Sequence, residues 1–245
     1  MNQHTPTILA TSGGFRRGER TQLLPGPLLW HSFELAGAPR RPKLCHLGTA
    51  SGDQQHWKAW INDAFTGTDV SVTHLDLFPM PSVADMRAHL LAQDVIWVGG
   101  GSVAGLLAMW RLHGLDEIFH EVWQAGVVLG GVSAGSICWH SGGVTDSFGP
   151  TLRPVTNGLG FLPHANGVHY DSEAQRRPLL QRLVAHGELP DAYATDDGVG
   201  LLYQGTEFVE ALSERPDVGA YRVIQSAGAA VETRIEPRLL PASLI

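Results

Sequence analysis

Gly131-Val132-Ser133-Ala134-Gly135 is entered by an apolar run, Val127, Val128 and Leu129, and left by Ser136, Ile137 and Cys138. That pattern reads as a strand, a sharp turn and a helix. A G-x-S-x-G at such a turn is the nucleophile-elbow pattern: the flanking glycines permit a strained backbone that lifts the serine above the sheet edge, and the next N–H is left to face an oxyanion. Ser133 is therefore the candidate nucleophile. A Gly/Ser-rich turn without chemistry has the same five letters, so the neighbouring stretches must decide.

Working outward, short apolar runs alternate with amphipathic ones. Thr7–Thr11, Lys43–Leu47, Val70–Leu77 and Asp94–Val98 read as strands, and Val127–Val132 is the fifth. Helices are expected after Pro25-Gly26-Pro27, ending at Gly37, over Gln54–Phe65, from a capping box at Ser82–Asp85 through Leu91, over Val103–Leu112 and over Asp116–Gln124. The aromatic stripe of Trp57 and Trp60 is expected to be core. Strands alternating with helices over this length predict an α/β fold, a mostly parallel sheet with helices on both faces. In such sheets ligands bind at the carboxyl ends of the strands, where Gly48–Asp53, Gly99–Ser102 and the elbow would all lie.

Beyond the elbow, His140–Gly143 is expected to end the helix, Leu159–Tyr170 to be loop and strand, and Pro178 to open a helix running to Gly187. Short strands follow at Val199–Tyr203, Phe208–Leu212 and Tyr221–Ile224, and Glu236–Ile245 is expected to be peripheral.

Composition bounds the function. With 245 residues, 43% of them hydrophobic, and no Pro/Ser-rich linker or charge run, the chain is read as one domain, 1–245. A formal net charge of −7 without a basic stripe argues against a nucleic-acid partner or an anionic membrane surface. Met1–Pro6 is polar and no apolar run is long enough to span a bilayer, so a cytoplasmic location is expected. Cys45 and Cys138 lack C-x-x-C spacing and are expected to be buried free thiols, and the twelve histidines show no zinc-type spacing, so no metal or other cofactor is expected. The run Gly99-Gly100-Gly101-Ser102 matches neither a P-loop nor a dinucleotide fingerprint. Its bare amides at a strand end, beside a helix N-terminus, instead suit an anion.

A serine nucleophile needs a histidine base and an acid to orient it. His164, His169 and His186 all lie downstream, and residue types alone do not choose among them.

In Thr11-Ser-Gly-Gly-Phe15, Gly48-Thr-Ala-Ser51, Ile96-Trp-Val-Gly-Gly-Gly101, Gly131-Val-Ser-Ala-Gly135, Gly158-Leu-Gly-Phe-Leu162, His169-Tyr-Asp171 and Asp196-Asp-Gly198, the chain resembles the peptidase E (α-aspartyl dipeptidase) family of serine peptidases, related to the cyanophycinases. The resemblance implies a fold like that of class I glutamine amidotransferases, a flavodoxin-like three-layer sandwich. It implies Ser133 as nucleophile, His169 as base, and Gly100 or Gly101 with the N–H of Ala134 as oxyanion hole. It implies Asp197 as the acid, where the best-known dipeptidases carry glutamate, with Asp196 and Asp171 as alternatives. Ser102, Ser51, Tyr170 and Arg176 are the expected substrate-binding residues, Arg176 by a bidentate contact to a peptide terminus. The family's glycine loop usually continues Asn-Thr where this chain has Ser102-Val103, and acidic residues follow His169, so strict Asp-X specificity is not expected. The implied activity is hydrolysis of a dipeptide or short peptide by a protein able to form homo-oligomers. The alternatives are isopeptide cleavage of cyanophycin type, an esterase, or a non-catalytic small-molecule binding module.

Overall fold

The apolar runs too short for helices become strands buried on both faces. In the computed structural model, which describes residues 5–37 and 41–242, the order begins with β1 (Thr7–Thr11), a two-rung hairpin of β2 (Phe15–Arg16) and β3 (Leu24–Pro25), α1 (Pro27–Leu35) and β4 (Lys43–Leu47). It continues with a 3-10 turn (Thr49–Ser51), α2 (Gln55–Ala64), β5 (Ser71–His74), α3 (Met86–Leu91), β6 (Val95–Val98), α4 (Val103–Leu112), α5 (Leu115–Gln124), β7 (Val128–Val132) and the one-turn α6 (Ala134–Ile137). The second half holds β8 (His140–Thr145), β9 (Arg153–Val155), β10 (Leu162–Gly167), α7 (Arg176–Ala185), β11 (Ala192–Thr195), β12 (Val199–Gln204), β13 (Glu207–Ser213), β14 (Ala220–Ser226), β15 (Ala229–Ile235) and β16 (Arg238–Leu239).

The main sheet runs β16-β13-β12-β1-β7-β6-β4-β5, and five of its seven pairings are parallel. Alternate residues divide its faces. Ile8, Cys45, Ile96 and Leu129 pack with Leu90 of α3, Leu106 and Trp110 of α4 and Phe119 of α5. Leu9, Leu44, Val95, Trp97 and Val128 pack with Leu28, Leu29 and Phe33 of α1 and Ile61 and Ala64 of α2. Helices thus cover both faces, the arrangement expected from the alternating pattern.

A six-stranded sheet, β15-β14-β11-β10-β8-β9, is absent from the sequence reading. Its β8 contains Gly142 and Gly143, expected to close a helix; a Cβ at Gly142 would stand 2.2 Å from the Val155 carbonyl and one at Gly143 2.3 Å from that of Asn166. These glycines let the neighbouring strands close in. α7 packs Leu180, Leu183 and Val184 onto this sheet. Its β10 and β11 are parallel neighbours whose carboxyl ends turn toward the elbow.

Some local expectations shift. Asp85, not Ser82, caps α3, accepting from the Ala88 N–H at 2.9 Å, while the Ser82 hydroxyl accepts from the Asp76 N–H. Pro178 is the third residue of α7, still in the first turn, where its missing N–H costs no intrahelical bond. Leu240 is buried in the core against α1, whereas β16 is exposed; residues 243–245 and 1–4 lie outside the described residues, so the reading of Met1–Pro6 falls largely there. Cys45 and Cys138 are both buried and free. Among the described residues, no helix is long and apolar enough to cross a membrane.

Candidate active site

Ser133 sits at the end of β7 with φ +58° and ψ −112°, a backbone that a non-glycine residue holds only under constraint. Three contacts hold it there: its N–H donates to the Thr11 carbonyl, and its carbonyl accepts from the Ser136 and Ile137 N–H groups. The flanking glycines are required by close approach. A Cβ on Gly135 would lie 2.2 Å from the Val98 carbonyl oxygen, and one on Gly131 would lie 2.5 Å from that of Gly135.

His169 follows β10 and Asp197 follows β11, so the parallel pairing of those strands brings the two side chains together. Asp197 Oδ1 stands 2.5 Å from His169 Nδ1. A carboxylate there accepts from Nδ1–H, which leaves the lone pair on Nε2. His169 is itself at φ +52°, and its N–H donates to Ser12 Oγ at 3.2 Å. The Ser12 carbonyl accepts from the Gly198 N–H at 2.8 Å, so one residue at the end of β1 ties both the histidine and the acid to the main sheet.

Ser133, His169 and Asp197 line one cavity of about 640 Å³. No hydrogen bond joins Ser133 Oγ to His169 among the described residues. Gly100 lies against Ser133: a Cβ there would be 3.4 Å from Ser133 Cβ and 3.9 Å from Oγ. Gly101, at φ +132°, turns against the Ala50 carbonyl instead. Among the described residues, the N–H groups of Gly100 and Ala134 carry no hydrogen bond. Two bare amides beside a serine oxygen can stabilise an anion that forms there.

The other expected residues divide. Ser51 and Gly48 line the cavity. Ser102 does not; its hydroxyl accepts from the Gly105 N–H as the cap of α4. Tyr170 is buried with its hydroxyl donating to Glu232, and Arg176, 2% exposed, is consumed by Glu173 and the Val144 carbonyl, so neither reaches a substrate. Asp196 is buried and accepts from the Gly219 N–H and the Tyr221 hydroxyl. Asp171 accepts from the Asp197 N–H at 2.8 Å and pairs with Arg215 at 2.8 Å, and Arg215 Nε also donates to the Asp197 carbonyl. It braces the acid without touching the imidazole. His164 packs on Tyr193 in the second sheet and His186 is exposed beside Glu188, both away from the cavity. Among the described residues no group of three or more His, Cys, Asp or Glu side chains is arranged for a metal ion.

The profile of peptidase family S51 matches residues 8–211. The chain belongs to peptidase family S51. It is a serine-type peptidase. Uncharacterized peptidase YgaJ of Bacillus subtilis (strain 168) is 41% identical over 186 residues, covering 76% of this chain and 80% of that protein. Among solved structures, a peptidase from an acI-B1 actinobacterium superposes with a TM-score of 0.69 at 15% identity, covering 96% of each chain. A "putative peptidase E protein" from Listeria monocytogenes EGD-e has a TM-score of 0.61 at 19% identity, covering 84% of this chain and 97% of that one. Both superpositions extend over the mostly parallel α/β fold of this chain.

The cavity is also lined by residues to which motif reading gave no role. Ser12 lies inside the quoted Thr11–Phe15 stretch, and a small polar residue at a strand's carboxyl end was its only signal. Arg215 and Glu214 follow β13, where nothing in the sequence marks a catalytic rim. Glu214 lines the cavity while accepting from the Gly14 and Leu28 N–H groups, and burial raises its pKa, against the lowering effect of those two amides. Trp57 corrects the expected core stripe: it is 36% exposed and lines the cavity.

Proposed function

We propose that this S51 peptidase hydrolyses a dipeptide or short peptide through an acyl-enzyme, with Ser133 as nucleophile, His169 as general base and Asp197 as the acid that orients the imidazole. His169 Nε2 takes the Ser133 proton as Oγ attacks the scissile carbonyl. The anion that develops on the carbonyl oxygen meets the N–H groups of Gly100 and Ala134. His169 then gives its proton to the leaving amine, the C–N bond breaks, and the acyl group stays on Ser133. Water, deprotonated by His169, attacks the ester, and as the second tetrahedral anion collapses the C–Oγ bond breaks and His169 returns its proton to Ser133 Oγ, releasing the acid and restoring the serine hydroxyl. The Ser133–His169 hydrogen bond is one that forms or tightens as substrate enters, as apo sites commonly require.

The observation that carries this is the 2.5 Å contact of His169 Nδ1 with Asp197, facing a strained Ser133 across one cavity. The test is Ser133→Ala assayed on a dipeptide panel, beside labelling of the wild type with a serine-directed phosphonate. Loss of turnover by roughly 10³-fold or more and stoichiometric labelling of Ser133 are expected. Undiminished hydrolysis by the folded variant would overturn the assignment.

A further inference from the structure

The cavity beside Ser133 is larger and less polar than the three proposed catalytic side chains need. α2 contributes Trp57 and Ile61, β6 contributes Trp97, and the β2–β3 hairpin and its loop contribute Phe15 and Leu23. Phe15 meets the Phe65 and Trp97 rings edge-on at 6.4 and 6.5 Å, so the hairpin is anchored on the aromatic core behind it. The charged Arg and acidic side chains at the cavity wall are Arg16, Arg215, Asp197 and Glu214, two of each sign. Arg215 is paired with Asp171, and Arg16 is exposed and faces Glu214 electrostatically. His46, on the same wall, is held neutral: burial, aided by neighbouring His74, pushes its pKa down to about 3. At the cavity wall, therefore, no buried cation stands ready for a substrate carboxylate, while Phe15, Leu23 and Trp57, backed by the buried Ile61 and Trp97, stand ready for an apolar group.

We propose that the wall formed by Phe15, Leu23, Trp57, Ile61 and Trp97 is the specificity pocket for a large, uncharged, apolar side chain, such as Phe or Leu, next to the scissile bond. The proposal rests on Ser133 being the nucleophile, because that places the pocket beside the bond that breaks. A pocket of this kind gains by taking apolar surface out of water. It disfavours an aspartyl side chain, which would lose its hydration against the apolar wall while the exposed Arg16 on that wall is offset by Glu214 and Asp197.

The test has a turnover arm and a binding arm. Dipeptides with Phe, Leu, Ala or Asp at one position and Ala at the other, in both orders, are assayed with the wild type and with Trp57→Ala. At one of the two positions Phe and Leu should exceed both Ala and Asp in kcat/KM by at least about tenfold, and Trp57→Ala should cut that preference at least about threefold. In the second arm the same dipeptides are titrated calorimetrically into Ser133→Ala. Phe-containing dipeptides should bind at least about tenfold more tightly than their Asp counterparts. Ser133-dependent turnover with Asp or Ala preferred at both positions would overturn the pocket and leave the nucleophile standing. Turnover that survives Ser133→Ala would overturn the nucleophile, while the binding order still decides the pocket. Asp-containing dipeptides binding as tightly as Phe-containing ones would overturn it.

Discussion

Asp196 and Asp197 are adjacent in sequence, yet their surroundings differ in kind. Asp196 is 6% exposed, its Oδ2 is taken by the Gly219 N–H and the Tyr221 hydroxyl, and burial raises its pKa from the ordinary value. Asp197 is more open and spends one oxygen on His169. Asp197→Asn should therefore lower kcat by roughly 10³–10⁴-fold, because an amide no longer fixes the tautomer that leaves Nε2 free. Asp196→Asn should lower the denaturation midpoint and change kcat far less. Asp171→Asn sits between: by loosening the backbone of Asp197 it should cost about ten- to a hundredfold in kcat, with KM less affected. Steady-state kinetics and urea unfolding of the three variants check the order, and equal losses in Asp196→Asn and Asp197→Asn would refute it.

At the scale of elements, the elbow depends on how closely α6 approaches β6. Gly135→Ala would drive a Cβ to 2.2 Å from the backbone oxygen of Val98, which cannot rotate away as a side chain can. Relief requires α6 to move off β6, the strand that leads into Gly99 and Gly100, separating the Ala134 amide from the Gly100 amide. The variant should lose about 1–3 kcal/mol of stability and at least about a hundredfold in kcat/KM. A urea midpoint and kcat/KM within error of wild type would show that the approach is not needed. The central strands were legible because Ile8–Ala10, Leu44–Leu47 and Val95–Val98 are apolar enough to be buried on both faces. The second sheet was not: β15 alternates exposed and half-buried residues and buries none, and β8 is written in glycines that periodicity treats as breaks. The elbow and His169-Tyr-Asp171 were legible as motifs. The apolar wall was not, because Trp57 at helical spacing looks the same whether it faces core or cavity, and only the fold shows that Ile61 and Phe65 are buried while Trp57 is left at the cavity.

The molecule as a whole places its proposed catalytic groups on two sheets, the nucleophile on one and the base and acid on the other, so the site exists only while both are folded together. Each sheet also buries a histidine that makes the fold sensitive to acid. His46, 5% exposed on the main sheet, and His140, 0% exposed at the start of the second, are both pushed down to a pKa of about 3 by burial. His140 Nδ1–H donates to the Ser136 carbonyl at 2.9 Å, directly behind the elbow. Unfolded, each would titrate near 6.5, so as pH falls the unfolded chain takes up protons that the folded chain refuses. The stabilising contribution is complete above pH 6.5 and is lost progressively toward pH 3. Asp53, Asp196 and Glu214 act in the opposite sense, since burial raises their pKa values, but they start from 3.8 and 4.5. The histidine effect is thus best read between pH 7.5 and 5.5. His74, pushed down to about 4 by burial and by Lys58, adds a third such group, so over that interval urea unfolding should show stability falling by roughly 4 kcal/mol, close to three protons taken up on unfolding, and His140→Gln should reduce the uptake by about one. A pH-independent unfolding free energy across the same interval would mean that none of these imidazoles is buried neutral.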